Sequence, residues 1–279
     1  MFVAFVFFFL VAAVAVYLLV QHQAFSSMVW REVRAMAGDQ PQALQPAVDS
    51  TALPEPLRRY LAWALPDDRA PAMFVRLRHG GTFRRSATEA WFPIRGEQYY
   101  DTAEPAFVWV ATMKLNTLLW VRGRDKYMDG HGHMLIKPLS AFTAVDATGP
   151  EMDQSTLLRY LSEMPLFPTA FLTVPGIEYR ATGPDTFEAA VTHGGRTVRG
   201  RFTVASDGAL LRFDTDDRYR EVNGKMIRTP WYGTYDDPSV FDGMRVPTSA
   251  AVSWETPDGP LTYARFTIER LDYDLPQPF

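Results

Sequence analysis

The sequence predicts a mainly β (α+β) protein in which a curved antiparallel sheet forms a half-open barrel around an inserted helix, behind one N-terminal transmembrane helix. Three observations predict this fold. An uncharged apolar stretch opens the chain, apolar and polar residues alternate between turn dipeptides from residue 73 onwards, and one helical pattern interrupts the alternation. We therefore divide the chain into a transmembrane anchor (1–21), a juxtamembrane helix and linker (22–52) and an antiparallel β half-barrel domain (53–279).

The anchor is predicted from residues 2–20, which include no charged side chain. At 1.5 Å per residue they span about 28 Å, the thickness of one hydrocarbon core. A cleaved signal peptide is the alternative, because residues 24–26 (AFS) have the spacing of a cleavage site; we favour an uncleaved anchor because the stretch exceeds a signal core and no Lys or Arg precedes it. We expect a single pass through the inner membrane of a bacterial cell, and the side of the body stays open because the nearest basic residues, Arg31 and Arg34, lie far from the span.

A linker is expected between the anchor and the body. Residues 27–36 can continue as a short helix, whereas residues 38–52 contain two prolines and no apolar periodicity. This composition predicts a body that stands off the bilayer. The body then begins with a helix over Leu53–Leu65, whose apolar face is formed by Leu57, Leu61 and Ala64.

A second helix is predicted inside the region of alternating residues. Thr148 and Glu151 resemble a capping box around Pro150, and Pro165 ends the helical pattern. The apolar face of this helix is formed by Leu157, Leu161 and Met164. A curled sheet needs its concave face filled, and a helix inserted between strands is well placed to fill it.

A first hairpin sets the register of the predicted sheet over residues 187–204. The dipeptide Gly194-Gly195 fits a two-residue turn that pairs Val191 with Val198 and places apolar residues of both strands on one face. A slip of one residue would scatter them, so the turn and the alternation support each other.

A second hairpin is predicted over Trp120–Pro138, with its turn at Asp129-Gly130. One face collects Arg122, Arg124, Lys126, His131, His133 and Lys137. The other face collects Leu119, Val121, Asp125, Tyr127, Met134 and Ile136.

Several segments of the body resemble those of an uncharacterised bacterial family, a domain of unknown function. They are LPEPLRRYLAWALP, RDKYMDGHG, DATGPEMDQSTLLRYLSE, DRYREVNG, TPWYG and RVPTSAAVSW, within residues 53–271. That family is similar in shape to lipoprotein carriers of the LolA/LolB type, in which a curved antiparallel sheet wraps around helices and holds an acyl chain. The resemblance implies a half-barrel fold and an apolar ligand. It implies no catalytic residue, and the N-terminal Cys of a LolB-type carrier is absent.

Asp129, His131 and His133 are candidate metal ligands, because alternate residues of one strand aim at the same side and His-x-His is a real ligand spacing. The hairpin register argues against a metal, since it places Asp129 in the turn and Lys126 beside His133. Nearby cations disfavour a bound cation. We favour an exposed hairpin tip.

Asp125 is a carboxylate on an apolar face, which is costly unless the carboxylate is paired. A structural salt bridge to Arg159 or Arg218 is the preferred interpretation. The alternatives are a polar group that lines a ligand cavity and a catalytic acid or base.

Arg159 and Glu163 are spaced as an ordinary surface pair of a helix, and we favour this interpretation. The alternative is that both face the sheet and form a polar network with Asp125.

Arg218 lies in the charge run 216–221, which we interpret as a solvated strand edge. Trp231 is expected to pack in the core rather than to stack on a ligand.

Composition narrows the function. The formal net charge of −4 excludes a nucleic-acid binder of the usual basic kind, and the absence of Cys excludes disulfides, Cys-ligated zinc and thiol nucleophiles. No nucleophile elbow, dinucleotide-binding loop, phosphate-binding loop or zinc-protease motif is present, so we lean away from an enzyme and expect no cofactor.

The leading hypothesis is a membrane-anchored, non-enzymatic module that binds a lipid or acyl chain in the concave sheet. Asp125, Arg159 or Glu163 would fix its polar head group, and Arg218 and Trp231 complete the candidate ligand-binding set. The alternative is a structural or interaction protein of the bacterial envelope, whose cup is filled by its own helix and whose protein partner is unknown. A hydrolase that uses buried carboxylates is the third hypothesis.

Overall fold

The computed structural model describes residues 2–38, 50–66, 70–116 and 118–279. The helices are α1 (Phe2–Ala37), α2 (Glu55–Ala64), α3 (Pro150–Glu163) and α4 (Ala170–Thr173), with short 3-10 turns at Ser50–Ala52 and Met164–Leu166. The strands are β1 (Phe74–Phe83), β2 (Phe92–Asp101), β3 (Ala106–Lys114), β4 (Trp120–Met128), β5 (His131–Pro138), β6 (Val145–Ala147), β7 (Ile177–Gly183), β8 (Thr186–His193), β9 (Arg196–Val204), β10 (Leu210–Thr215), β11 (Tyr219–Val222), β12 (Lys225–Arg228), β13 (Trp231–Phe241), β14 (Met244–Thr256) and β15 (Gly259–Tyr273).

Thirteen of these strands form one antiparallel sheet in the order β6-β5-β4-β3-β2-β1-β15-β14-β13-β10-β9-β8-β7, and β11 and β12 pair as a separate hairpin. Its outermost strands, β6 and β7, do not pair with each other. The sheet is therefore large and not closed, which confirms the mainly β fold with an open antiparallel sheet and an inserted helix.

Both predicted hairpin registers are confirmed. Val191 pairs with Val198 across the glycine turn of β8 and β9, and Met128 pairs with His131 across the turn of β4 and β5. The two hairpin tips also meet, since a Cβ placed on Gly130 would lie 2.8 Å from Cα of Gly194. Glycine at both turns thus lets the two arms of the open sheet touch.

The concave face of the sheet is covered by α2, α3 and α4. The predicted helix over residues 53–65 is confirmed as α2, and Leu157 and Leu161 of α3 are fully buried as predicted. The predicted capping box is wrong: Gly149 is the N-cap of α3 and no side chain caps it. Fully buried rings fill the space between α2, α4 and the strands β8 to β10, among them Tyr60, Phe171, Phe187, Phe202 and Phe213.

The convex face is covered by the second half of α1. The sequence predicts a helix in this segment but not its packing on the sheet. Helix α1 continues without a break from the apolar stretch, and Phe25, Val29, Val33 and Met36 are buried against Val108 and other residues of the outer face. Most of the expected linker, residues 39–49, lies outside the described residues. The segment that precedes the expected linker, the second half of α1, packs directly on the sheet.

Ionic contacts orient α1 along β4. Ser26 accepts a hydrogen bond of 2.8 Å from Arg122, and Glu32 lies 3.2 Å from Arg124 and 3.0 Å from Lys126. At one edge of the sheet, β1 and β3 end and β2 and β4 begin (residues 83, 92, 114 and 120). From this edge the second half of α1 runs along the outer face. We name this edge the α1 rim, because the apolar half of α1 projects beyond it.

Candidate functional site

A buried ionic cluster lies between α3 and the concave face of the sheet. Arg159 of α3 donates from Nη1 to Oδ2 of Asp125 (2.8 Å), from Nε to Oε1 of Glu163 (2.9 Å) and from Nη2 to Oε1 of Gln98 (3.1 Å). Asp125 thus forms the structural salt bridge that its apolar face predicts. Arg159 and Glu163 face the sheet rather than solvent, with side-chain exposures of 12% and 22%, so the preferred surface-pair interpretation is wrong and the network interpretation holds.

Neighbouring side chains complete the cluster. Oε2 of Glu163 accepts hydrogen bonds from Gln98 Nε2 (2.6 Å) and from the Tyr100 hydroxyl (3.1 Å). The Arg159 guanidinium lies over the rings of Trp109 and Phe107, 4.9 and 5.1 Å from their centroids. Arg159 and Glu163 are therefore each held in place by several partners, and Asp125 by its ion pair with Arg159, as a buried charge requires.

The electrostatics keep the cluster ionic. Burial raises the pKa of Asp125, while the positive charges of Arg159 and Arg218 oppose that rise. Burial disfavours the charged form of Arg159, but the carboxylates of Glu163 and Asp125 outweigh it and raise its pKa above the ordinary value. Because Arg159 lies between the two carboxylates and bonds to both, neither is placed as a free acid or base, which weighs against the hydrolase hypothesis.

Arg218 lies beside this cluster but is held differently. Its guanidinium lies over Trp231, 4.4 Å from the ring centroid, and 5.6 Å from the centroid of Trp254. In the part of the chain that the structure describes, its side chain makes no hydrogen bond or ion pair, and only its longer-range attraction to Asp125 is felt. The solvated strand edge expected for residues 216–221 is wrong for Arg218, which precedes β11 and stacks on the large sheet.

Partly exposed apolar side chains cover the concave face between Arg218 and the α1 rim. We name them the concave strip: Phe83, Met113, Val252, Trp254, Tyr263, Phe266 and Ile268. Trp254 and Tyr263 stack with centroids 5.9 Å apart, and Trp231, which is buried as predicted, donates from Nε1 to the Tyr263 hydroxyl (3.0 Å). The arrangement offers a partly exposed apolar surface that ends at a cation whose side chain has no hydrogen-bonding partner among the described residues.

Residues 43–266 match the profile of DUF6544, a family of unknown function. The chain belongs to this family. The match covers nearly all of the body and confirms the resemblance predicted from the sequence motifs. No curated protein matches the sequence.

Two solved structures are similar to this DUF6544 protein. One is a LolA superfamily protein from Nitrosomonas europaea, with 10% identity and a TM-score of 0.39 over 81% of this chain and 94% of that one. The other is a beta-barrel-like protein of the domain of unknown function DUF1849 from Brucella abortus, with 12% identity and a TM-score of 0.23 over 74% of this chain and 99% of that one.

The candidate metal ligands of the DUF6544 chain do not converge. Asp129 has a φ of 54° in the turn, and the His131 side chain is 81% exposed. His133 lies between Arg124, 3.0 Å from its Nδ1, and Asp146, 2.7 Å from its Nε2. Across the described ranges, no three His, Asp or Glu side chains are grouped as a metal site.

Sequence reasoning missed His79, which lies on the concave face under the strip. Trp109 donates from Nε1 to Nε2 of His79 (2.8 Å), and burial lowers the pKa of this histidine to about 4. The imidazole is therefore neutral near pH 7. Gly96 makes room for the ring, because a Cβ at this position would lie 2.4 Å from Nε2 of His79, a contact that only the folded sheet reveals.

Asp101 gives the DUF6544 chain a testable pH dependence. Burial raises the pKa of this carboxyl to about 6, although its Oδ1 accepts a hydrogen bond from Ala103 N (2.8 Å). A raised folded-state pKa contributes stability below pH 4 that is lost as the pH rises through 6. Asp101→Asn should therefore equal the wild type near pH 4 and exceed its unfolding free energy by about 2 kcal/mol at pH 7, measured by urea denaturation.

Asp207→Asn is the matched control, because exposed Asp207 also accepts from the backbone N–H two residues later, that of Ala209 (3.1 Å). This variant should follow the wild type at both pH values. A constant difference between Asp101→Asn and the wild type across pH 4 to 7 would contradict the assignment.

Proposed function

We propose that this protein is a membrane-anchored, non-enzymatic module that holds a lipid or acyl chain against the concave strip and the anionic head group of that ligand at Arg218. One observation carries the proposal: a partly buried apolar strip leads from the α1 rim to a guanidinium that lies on two tryptophans and has no hydrogen-bonding partner among the described residues. Soluble domains seldom leave such a surface uncovered without use.

The physical basis is burial of an acyl chain plus one charged contact. Each CH₂ group removed from water contributes about 0.8 kcal/mol, so a chain that covers the strip gains affinity from apolar contact alone. Arg218 offers N–H donors to a carboxylate or phosphate, and a charge-assisted hydrogen bond contributes about 1.5 to 3 kcal/mol. Asp125, Arg159 and Glu163 already satisfy one another and act as the rigid floor of the site rather than as its head-group ligands.

The anchor places this site near lipid. Helix α1 is long and apolar enough to cross a membrane, and none of its most apolar stretch is buried in the protein. That half projects past the α1 rim, where Phe83 and Met113 begin the concave strip. We propose that residues 2–20 hold the chain in the bacterial inner membrane with the open end of the strip towards the bilayer.

Native mass spectrometry of the full chain, released from detergent after incubation with stearate, tests the binding. The wild type should carry a stearate adduct, and Arg218→Gln should lower its occupancy at least tenfold, as expected for a lost charge-assisted bond. Arg265→Gln is the matched control, because exposed Arg265 also stacks on a tryptophan, with its guanidinium 4.7 Å from the Trp91 centroid. A missing adduct, or equal losses in both variants, would refute the proposed site.

A structural or interaction protein with a self-filled cup is the second candidate. The observation in its favour is that aromatic rings already fill the space between α2, α4 and β8 to β10, including Phe171, Phe187 and Phe202. It predicts that Phe266→Asp, which puts a charge on the strip, leaves the pattern of lipid adducts unchanged. The lipid-binding proposal predicts loss of the adduct in that variant but not in Leu211→Asp, a change at an exposed residue of β10.

A further inference from the structure

We infer that the α1 rim is itself a bilayer-docking surface, whose loops insert into the lipid interface beside α1. The inference rests on the membrane anchoring in the proposed function and does not depend on a ligand in the concave strip. It concerns the described residues of two loops, 115, 116, 118 and 119 between β3 and β4 and 139–144 between β5 and β6.

Large apolar side chains of both loops lie in solvent. Leu118 is 79% exposed and Phe142 is 59% exposed, while Leu115 and Leu119 in the first loop are 43% and 46% exposed. These loops are next to the point where α1 leaves the sheet. Exposed apolar side chains gathered at one edge of the sheet mark an interaction surface, and here this edge adjoins the apolar helix.

One loop contacts α1 through Ser140, and the other lines a crevice beside α1. Ser140 Oγ lies 3.3 Å from His22 Nδ1 and accepts a hydrogen bond of 3.3 Å from Trp120 Nε1. A crevice of about 1000 Å³ separates α1 from the rim, lined by Ala15, Leu18, Leu19, His22, Pro93, Thr112, Lys114, Leu115, Asn116 and Trp120. The apolar half of α1 forms one wall of the crevice. When this helix crosses the bilayer, the opposite wall, formed by the rim, lies at the lipid interface and lipid chains fill the crevice.

The two loops and the strand ends beside them carry only positive charge, whereas the loop between β1 and β2 at the same rim holds Arg84, Arg85 and Glu89. The segment 113–122 contains Lys114 and Arg122, the segment 136–144 contains Lys137, and neither contains Asp or Glu. Apolar side chains flanked by cations fit the interface of an anionic bilayer, which attracts each cation near its surface. A surface of this charge requires a negatively charged counterpart. A membrane rich in anionic lipid supplies one without an acidic protein partner.

Because the chain has no Cys, single-cysteine spin labels can test the docking without background. The full chain is reconstituted in nanodiscs of one-third anionic phospholipid, with labels at Leu118→Cys, Phe142→Cys or Val240→Cys. Val240 is the matched control, since it is 59% exposed like Phe142 but lies near the far end of β13. We expect the labels at 118 and 142 to collide with oxygen at least threefold more, relative to a water-soluble nickel complex, than the label at 240.

A label at Val14→Cys on α1 separates the two proposals. If label 14 is immersed while labels 118 and 142 match label 240, anchoring stands and the docking inference is overturned. If label 14 is itself in water, anchoring and docking both fall. Lys114→Glu together with Lys137→Glu should reduce the immersion of label 118, and an unchanged value would overturn the role of charge.

Discussion

Arg159→Met should lower the free energy of unfolding by about 3 to 5 kcal/mol, because it leaves two buried carboxylates without their counter-charge. Arg159 bonds to Asp125 at 2.8 Å and to Glu163 at 2.9 Å. Methionine keeps an unbranched apolar stem but removes the guanidinium, together with its charge and its contact with the Trp109 ring. Denaturant unfolding of the detergent-solubilised chain, followed by far-UV circular dichroism, measures the loss.

The matched control is Arg59→Met, because Arg59 also bridges two carboxylates, at 3.1 Å to Glu55 and 2.7 Å to Asp185. Both of its partners are more than half exposed, so solvent screens the pairs and the loss should stay below about 1 kcal/mol. Equal losses in the two variants would show that the buried cluster contributes no more than a surface pair.

The deficit of Arg159→Met should also depend on pH. Burial raises the pKa of Asp125 and the charge of Arg159 opposes that rise, so the pKa rises further in the variant. A carboxyl whose folded-state pKa is raised contributes stability that is present at low pH and lost as the pH increases. The deficit should therefore be largest near pH 7 and shrink towards pH 4, and a deficit that grows on acidification would contradict this account.

A triple variant tests whether the buried ionic cluster stabilises the fold or positions the proposed ligand site. Replacing Asp125, Arg159 and Glu163 together by apolar residues of similar size removes the charges and their desolvation cost, which is often neutral or stabilising. If Asp125→Leu/Arg159→Met/Glu163→Met folds with wild-type stability but loses the stearate adduct, the cluster serves to position Arg218 and the concave strip rather than to stabilise the fold.

Local turn chemistry made much of the sheet predictable from sequence. The turn at Gly194-Gly195 requires positive φ at both residues, and alternation then leaves one register in which Val191 and Val198 share the buried face. The same logic gave the register of β4 and β5 and placed Asp125 on an apolar face. These features depend on residues near one another in the chain.

The inward orientation of Arg159 and Glu163 was not predictable in this way. A pair at this spacing has the same pattern on a solvated helix face and on a face that meets a carboxylate from a strand distant in sequence. Only the packing of α3 across the concave face decides between them. The solvated position predicted for Arg218 was wrong for the same reason, because its tryptophan partners come from other strands, β13 and β14.

The docking of α1 on the sheet left a signal that could have been used. Phe25, Val29, Val33 and Met36 recur at helical spacing beyond the apolar stretch and mark a buried helix face. The strand β3 contains the continuous apolar run FVWVA, which is typical of a strand that is buried on both faces. Together these patterns require a cover on the convex side.

Glu32→Gln should release this cover, with a loss of about 3 kcal/mol in the stability of the docked helix, because it removes a counter-charge from a buried guanidinium. Arg124 is 1% exposed, with its Nε 3.2 Å from Glu32, and burial lowers its pKa while the charge of Glu32 raises it. Hydrogen exchange should show faster exchange in residues 25–36 while α3 keeps its protection. Arg31→Gln, at the exposed neighbouring position, should leave exchange unchanged, and full protection in Glu32→Gln would contradict an ionic contact that holds α1 on the sheet.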